Sequence, residues 1–162
     1  MIVLGSGGHT MEMTKLIQNF NWNQYKPVYI VVGSGDKMSL SKIPEELKTK
    51  CEVKVIRRSR NVGQSYLTSV ATTLLATVDA FRLVWRNRPE LLICNGPGTC
   101  LPLSLCAKMI SDCVIIYVES FCRVHSLSLT GKLLYPLADH FIVQWPQLQE
   151  KYSRSKYLGL LV

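Results

Sequence analysis

The sequence predicts an α/β chain, a Rossmann-like doubly wound parallel sheet with helices on both faces. Short, nearly continuous apolar runs rich in Val and Ile alternate with segments of helical periodicity. Glycine turns stand at the ends of the first and fourth of those runs, where such sheets place their ligands. At 162 residues and 18.3 kDa, residues 1–162 make one domain, long enough to bury roughly 70% of the unfolded surface.

Met1-Ile-Val-Leu4 reads as a strand that meets Gly5-Ser-Gly-Gly8 at once. Met13, Leu16, Ile17 and Phe20 then recur at i, i+3, i+4 and i+7, the stripe of an amphipathic helix. Residues 27–32 form a buried β-branched strand, 43–50 a short helix and 53–56 a third strand. A long helix spans 66–88 and stops at Pro89, with Arg86 and Arg88 against the negative end of its dipole. Asp79, Arg82 and Arg86 interrupt its apolar run, so it is a surface-lying or core-packed helix rather than a membrane span. Strand 91–94, the loop Asn95-Gly-Pro-Gly98, a helix over 100–110 and strand 114–118 repeat the pattern. A polar loop over 119–126, a weak helix over 127–135, a last strand at 141–143 and a short helix over 146–152 complete the chain.

Nineteen Lys and Arg against eleven Asp and Glu give a net charge of +8, which favours an anionic partner. The stretch 48–60 carries six basic residues (Lys48, Lys50, Lys54, Arg57, Arg58, Arg60) and one acid, Glu52. It is either a charge-protected sheet edge or part of an anionic membrane contact. Basic residues are not interleaved with aromatics along any stripe, so a nucleic-acid module is excluded. The six cysteines lie six or more residues apart, which leaves no CxxC pair for zinc or redox chemistry. Most sit in apolar runs as core residues, and no secretory leader opens the sequence, so a reducing compartment is expected. No two aspartates flank a single residue, so no metal-nucleotide motif is present; neither a metal nor a cofactor is implied.

Three polar loops fall at the ligand edge. Gly5, Ser6, Gly7 and Gly8 lead directly into a helix, where backbone N–H groups and the helix dipole attract an anion, Thr10 following in the first turn. The third glycine of a dinucleotide fingerprint would fall at Thr10 and no acid closes the second strand, which argues against a nicotinamide-dependent oxidoreductase. His9, in the first helical turn, is a candidate general base or a helix-capping histidine. Asn95, Gly96, Gly98 and Thr99 repeat the logic as a second anion loop, with Thr99 as the helix N-cap. Glu119 is a candidate base, a sugar-hydroxyl acceptor or the partner of Arg123, and Arg123 is a candidate phosphate clamp.

Several motifs carry a resemblance over essentially the whole chain: Gly5-Ser-Gly-Gly-His-Thr10 with Glu12-Met13, Asn95-Gly-Pro-Gly-Thr-Cys100, Glu119-Ser-Phe-Cys-Arg123, Leu127-Ser-Leu-Thr-Gly-Lys132, and Ala138-Asp139 through Val143-Gln-Trp-Pro146. The sequence resembles the membrane-recruiting subunits of the eukaryotic UDP-N-acetylglucosamine transferase that makes the second sugar addition in dolichol-linked oligosaccharide assembly. It is more distantly similar to the amino-terminal half of the bacterial lipid-linked N-acetylglucosaminyltransferase of cell-wall synthesis. The resemblance implies the acceptor-side half of a GT-B glycosyltransferase, active only with a separate cytosolic subunit that binds UDP-GlcNAc.

The implied reaction is an inverting transfer of β1,4-linked GlcNAc to GlcNAc-diphosphate-dolichol at the cytosolic face of the endoplasmic reticulum membrane. His9 and Glu119 are the implied candidate bases, and the glycine loop is the implied site of the acceptor's diphosphate and sugar. A purely non-catalytic scaffold for the catalytic subunit is the alternative. The family ties partner binding to the chain end, here Tyr157-Leu-Gly-Leu-Leu-Val162, so Leu158, Leu160, Leu161 and Val162 are the implied interface. The family also carries an amino-terminal membrane-spanning helix before the first strand, where this sequence starts. If that helix is missing, the basic stretch 48–60 and the helix bearing Arg82, Arg86 and Arg88 are what remains for membrane contact.

Overall fold

A computed structural model describes residues 1–59 and 64–162. Seven parallel strands form one sheet in the order β3-β2-β1-β4-β5-β6-β7: β1 (Ile2–Val3), β2 (Val28–Gly33), β3 (Cys51–Ile56), β4 (Leu91–Cys94), β5 (Val114–Val118), β6 (His140–Val143) and β7 (Ser155–Tyr157). The helices are α1 (Gly8–Ile17), α2 (Lys37–Ser41), α3 (Glu45–Lys48), α4 (Tyr66–Asn87), α5 (Cys100–Ile110), α6 (Leu129–Leu134) and α7 (Pro146–Lys151). The strand order reverses between β1 and β4, and that topological switch opens a crevice at the carboxyl edge of the sheet.

Alternation along the strands builds two cores. Ile2, Leu4, Ile30, Val32 and Ile93 face Met13 and Ile17 of α1 and Leu47 of α3. Val3, Val31, Leu92, Cys94, Ile115 and Tyr117 face Ala80 and Val84 of α4 and Leu103 and Ala107 of α5. Cys94, Cys100, Cys106 and Cys113 are buried thiols of this second core; burial pushes Cys113 up to about 11.

The predicted doubly wound class and element order hold, with local differences. The helix expected over 43–50 contracts to α3, because Pro44 occupies its N-cap position. Ahead of it stands an unpredicted turn of helix, α2, capped by Asp36, whose carboxylate accepts from Ser39 N at 3.1 Å. Strand β7 was also unpredicted: only Ser155 of its three residues is buried, so no apolar run marks it. Thr99 does occupy the N-cap position of α5, but in helical φ/ψ and without a side-chain capping bond, which leaves its hydroxyl for other work.

Helix α4 packs on α5 and exposes one face. Among the described residues no helix is long and apolar enough to cross a membrane.

Candidate functional site

At the switch point the loops after β1 and β4 lie against one another. Gly7, with φ +65°, ends the first loop and starts α1. His9 in the first turn of α1 lays its imidazole over Gly96, whose φ of +71° and contact with the ring leave no room for a Cβ. The two loops are tied behind the ring: Asn95 Nδ2 donates to the His9 carbonyl at 2.8 Å. Thr10 Oγ1 donates to the Gly5 carbonyl and sits 2.7 Å from Ser39 Oγ, so it braces the glycine loop from beneath.

Glu12, one turn after His9, gathers all three loops. Its Oε2 lies 3.5 Å from His9 Nδ1 and accepts from Asn95 Nδ2 at 3.4 Å, while Oε1 accepts from Ser120 Oγ at 2.7 Å and Phe121 N at 3.2 Å. Partial burial alone would raise its carboxyl, but the nearby His9 imidazole and the bonds from Ser120 and Phe121 outweigh it and hold Glu12 below the usual range. The sequence marks no role for this residue beyond its place in the Gly5-to-Met13 motif. Its signal was spacing, since i and i+3 on a helix put a carboxylate beside the imidazole.

Glu119 differs. Its carboxylate is fully buried, accepting from Ser120 N at 3.0 Å, Ser128 N at 2.9 Å and Ser128 Oγ at 3.1 Å, with Tyr117 Oη at 3.5 Å. Ser128 Oγ in turn accepts from Gly131 N at 2.9 Å and caps α6. Burial raises the Glu119 carboxyl above its usual range against the pull of these donors. The geometry thus gives it three serine contacts and leaves it out of the cleft lining, and among the described residues no ion pair joins it to Arg123.

The cleft has a volume of about 880 Å³. Gly5, Ser6, Gly8, His9, Gly96, Gly98, Thr99 and Arg123 border it; Thr10, Asn95 and Glu119 are buried outside its lining, and Gly7 is exposed beside it. Arg58 and Ser59 border it without having been anticipated. Its outer wall is apolar: Val70 and Leu74 of α4, Leu101 of α5, and Leu129 and Leu133 of α6. That wall runs on along α4, where Val70, Leu74, Val78, Phe81 and Trp85 are all exposed at helical spacing. Phe81 stacks on Trp85 at 5.9 Å, and the Arg88 guanidinium lies 4.6 Å over the Trp85 ring.

The basic stretch resolves into paired cations. Lys48 meets Glu45 at 2.5 Å, Lys50 meets Glu46 at 2.8 Å, and Lys54 meets Glu52 at 2.8 Å. Arg57 grips Asp79 with two bonds of 2.7 and 2.8 Å and holds its carboxyl down to about 2. Arg58 turns to the cleft, and Arg60 lies outside the described residues. Four of the six charges expected at a membrane are thus already engaged with acids of the chain.

At the other end of the sheet, Leu158 and Leu160 are exposed, and Leu161 N donates to Gln144 Oε1 at 3.2 Å. Gln144, itself buried, donates through Nε2 to the Glu119 carbonyl at 2.9 Å, and Trp145 Nε1 donates to the Phe121 carbonyl at 2.7 Å.

Residues 1–161 match the family described as "Oligosaccharide biosynthesis protein Alg14 like". A relative from Homo sapiens, named UDP-N-acetylglucosamine transferase subunit ALG14, is 43% identical over 178 residues, spanning 100% of this chain and 82% of the relative. Among solved structures, MurG of Acinetobacter baumannii superposes with a TM-score of 0.67 at 15% identity, over 90% of this chain and 41% of MurG. A UDP-N-acetylglucosamine 2-epimerase superposes with a TM-score of 0.66 at 16% identity, over 94% of this chain and 43% of the epimerase. The chain thus spans about two-fifths of each structural neighbour and shares their fold.

Proposed function

The chain belongs to the Alg14 family of oligosaccharide biosynthesis proteins, and from that premise we propose that it is the acceptor-side subunit of a split, inverting GlcNAc transferase. It works with a cytosolic subunit that supplies UDP-GlcNAc, at the cytosolic face of the endoplasmic reticulum membrane. The observation that carries the reading is the cleft itself. It passes from two glycine loops and the start of two helices to an apolar wall that continues onto an exposed face, the order of groups in a sugar–diphosphate–lipid.

In this reading the diphosphate rests on Gly5, Ser6, Gly8, Gly96, Gly98 and Thr99, with Arg123 at its side. The lipid follows Val70 and Leu74 toward Phe81 and Trp85, where Arg82, Arg86 and Arg88 meet anionic headgroups. His9 is the base. Glu12 sits at Nδ1, which leaves Nε2 to take the proton of the acceptor 4-hydroxyl as its oxygen attacks C1 of the donor sugar. The bond from C1 to the UDP oxygen breaks, UDP leaves, and the new bond is β1,4. Glu119 serves the fold of the third loop.

The test is transfer of labelled GlcNAc from UDP-GlcNAc to a short-chain lipid-diphosphate-GlcNAc by this chain, by its candidate partner and by the mixture. Activity in the mixture alone supports a split transferase; activity of the partner alone at the same rate makes this chain dispensable to the chemistry. Deleting Leu160 to Val162 is expected to abolish co-purification with the partner and leave the far-UV dichroism intact. An undiminished complex removes the chain end from the interface.

A further inference from the structure

Beyond the two glycine loops, the cleft has a third polar wall, formed by Arg58 and Ser59 just after β3. Three anchors hold residues 57–59. Arg57 is locked to Asp79 by its guanidinium and by its backbone N at 3.1 Å. The Ser59 carbonyl accepts from Thr72 Oγ1 at 2.6 Å and Thr73 Oγ1 at 3.2 Å, both on α4. Arg58 Nε donates to the Ser34 carbonyl at 3.0 Å, and its stem crosses Gly33 so closely that a Cβ there would stand 2.8 Å from Arg58 Cγ.

Two side chains so mounted border the cleft, and Ser59 lies beside the second glycine loop. Ser59 is 3% exposed and borders the cleft, yet its Oγ has no hydrogen-bond partner among the described residues. A buried hydroxyl left that way is costly unless something else satisfies it. Opposite stands Gly98, whose Cβ position is 3.8 Å from Ser59 Cβ, followed by Thr99, whose hydroxyl makes no capping bond at the start of α5. The other charged groups at the cleft are Glu12 and Asp36, both engaged by serines, and Arg123.

We propose that Arg58, Ser59 and Thr99, with the amino-terminal end of α5, form an oxyanion subsite that takes one phosphate of a diphosphate ligand, the other phosphate resting on the Gly5 to Gly8 loop. The ligand as acceptor rests on the function proposed above; the anion chemistry of the subsite does not. A guanidinium supplies charge-assisted donors of fixed geometry, the hydroxyls add two more, and the helix end contributes its positive dipole. Among the described residues of the charge cluster, Arg58 is the cation that borders the cleft.

Steady-state kinetics of the assembled complex test this, with Arg58→Gln, Arg58→Lys and Ser59→Ala alongside calorimetry of the chain with inorganic pyrophosphate. The expected result is a rise of ~10-fold or more in acceptor KM for Arg58→Gln. The kcat and the UDP-GlcNAc KM hold, Arg58→Lys recovers part of the loss, and Ser59→Ala shows a smaller rise. An active complex whose acceptor KM is the same in Arg58→Gln as in the unmodified protein overturns the subsite and leaves the transferase reading standing. A complex inactive on the lipid diphosphate overturns that reading instead, and pyrophosphate then decides. Binding weakened ~10-fold by Arg58→Gln keeps the subsite, while equal or absent binding removes it.

Discussion

Two carboxylates stand at the same sheet edge, and their surroundings separate them. Glu119 closes on itself: backbone N–H groups of Ser120 and Ser128 and the Ser128 hydroxyl fill both oxygens, and the whole corner caps α6. Glu12 instead bridges elements far apart in sequence, touching His9, Asn95, Ser120 and Phe121 while His9 still opens on the cleft. A carboxylate saturated by local backbone donors keeps a loop in shape. One that links an imidazole to two other loops holds a site together.

The comparison is broken first at His9. Replacing it by Ala is expected to lower kcat of the assembled complex by ~10²-fold or more, with co-purification of the partner unchanged. Normal turnover would make the corner a scaffold and favour a chain that only recruits. The next effect belongs to Glu119. Glu119→Gln sets an amide NH2 where one oxygen accepted, and is expected to destabilise the chain by about 2 kcal/mol in urea melts while kcat per folded complex stays within a few-fold. The sign of its pH dependence follows from the raised folded-state carboxyl. The native form holds its proton more tightly than the unfolded chain, so Glu119's contribution is full below the unfolded carboxylate pKa. It falls as pH rises through the folded value. That fall is expected to shrink in Glu119→Gln, and an unchanged pH profile would show that the group does not titrate with folding.

Much of the fold was legible because its signals are local. Continuous apolar runs gave β2, β4 and β5, and the glycine loops marked the edge where β1 and β4 part. Strand β7, with two of its three residues exposed, had no apolar signature; only its pairing with β6 makes it a strand. The site was legible by half. Gly5, His9, Gly96 and Thr99 follow from loops that precede helices, whereas Arg58 lay hidden in a charge run. Choosing it from six basic residues requires knowing that Glu45, Glu46, Glu52 and Asp79 take four of the others. The burial of Glu119 was illegible for a related reason: a carboxylate after an apolar strand looks the same in sequence whether it faces the cleft or Ser128.

Glu12→Gln sharpens the contrast at smaller scale. It keeps the hydrogen-bonding shape but removes the charge beside His9, and is expected to lower kcat ~10-fold with acceptor KM little changed. A loss confined to KM would mean that Glu12 shapes the binding loops and does nothing for the base.

The smallest expected effect lies where the Glu119 corner meets the chain end. Gln144 donates to the Glu119 carbonyl and accepts from Leu161 N, so the loop that carries Arg123 and the tail implied in partner binding share one side chain. Gln144→Ala removes a single neutral bond to the tail, worth about 1 kcal/mol, which corresponds to roughly 5-fold in partner affinity. If the tail binds as an independent segment, calorimetric titration with the partner will give the same affinity for both forms. If it must be held against the sheet, the variant will bind ~5-fold more weakly, and raising the partner concentration will restore kcat, because nothing at His9 has changed.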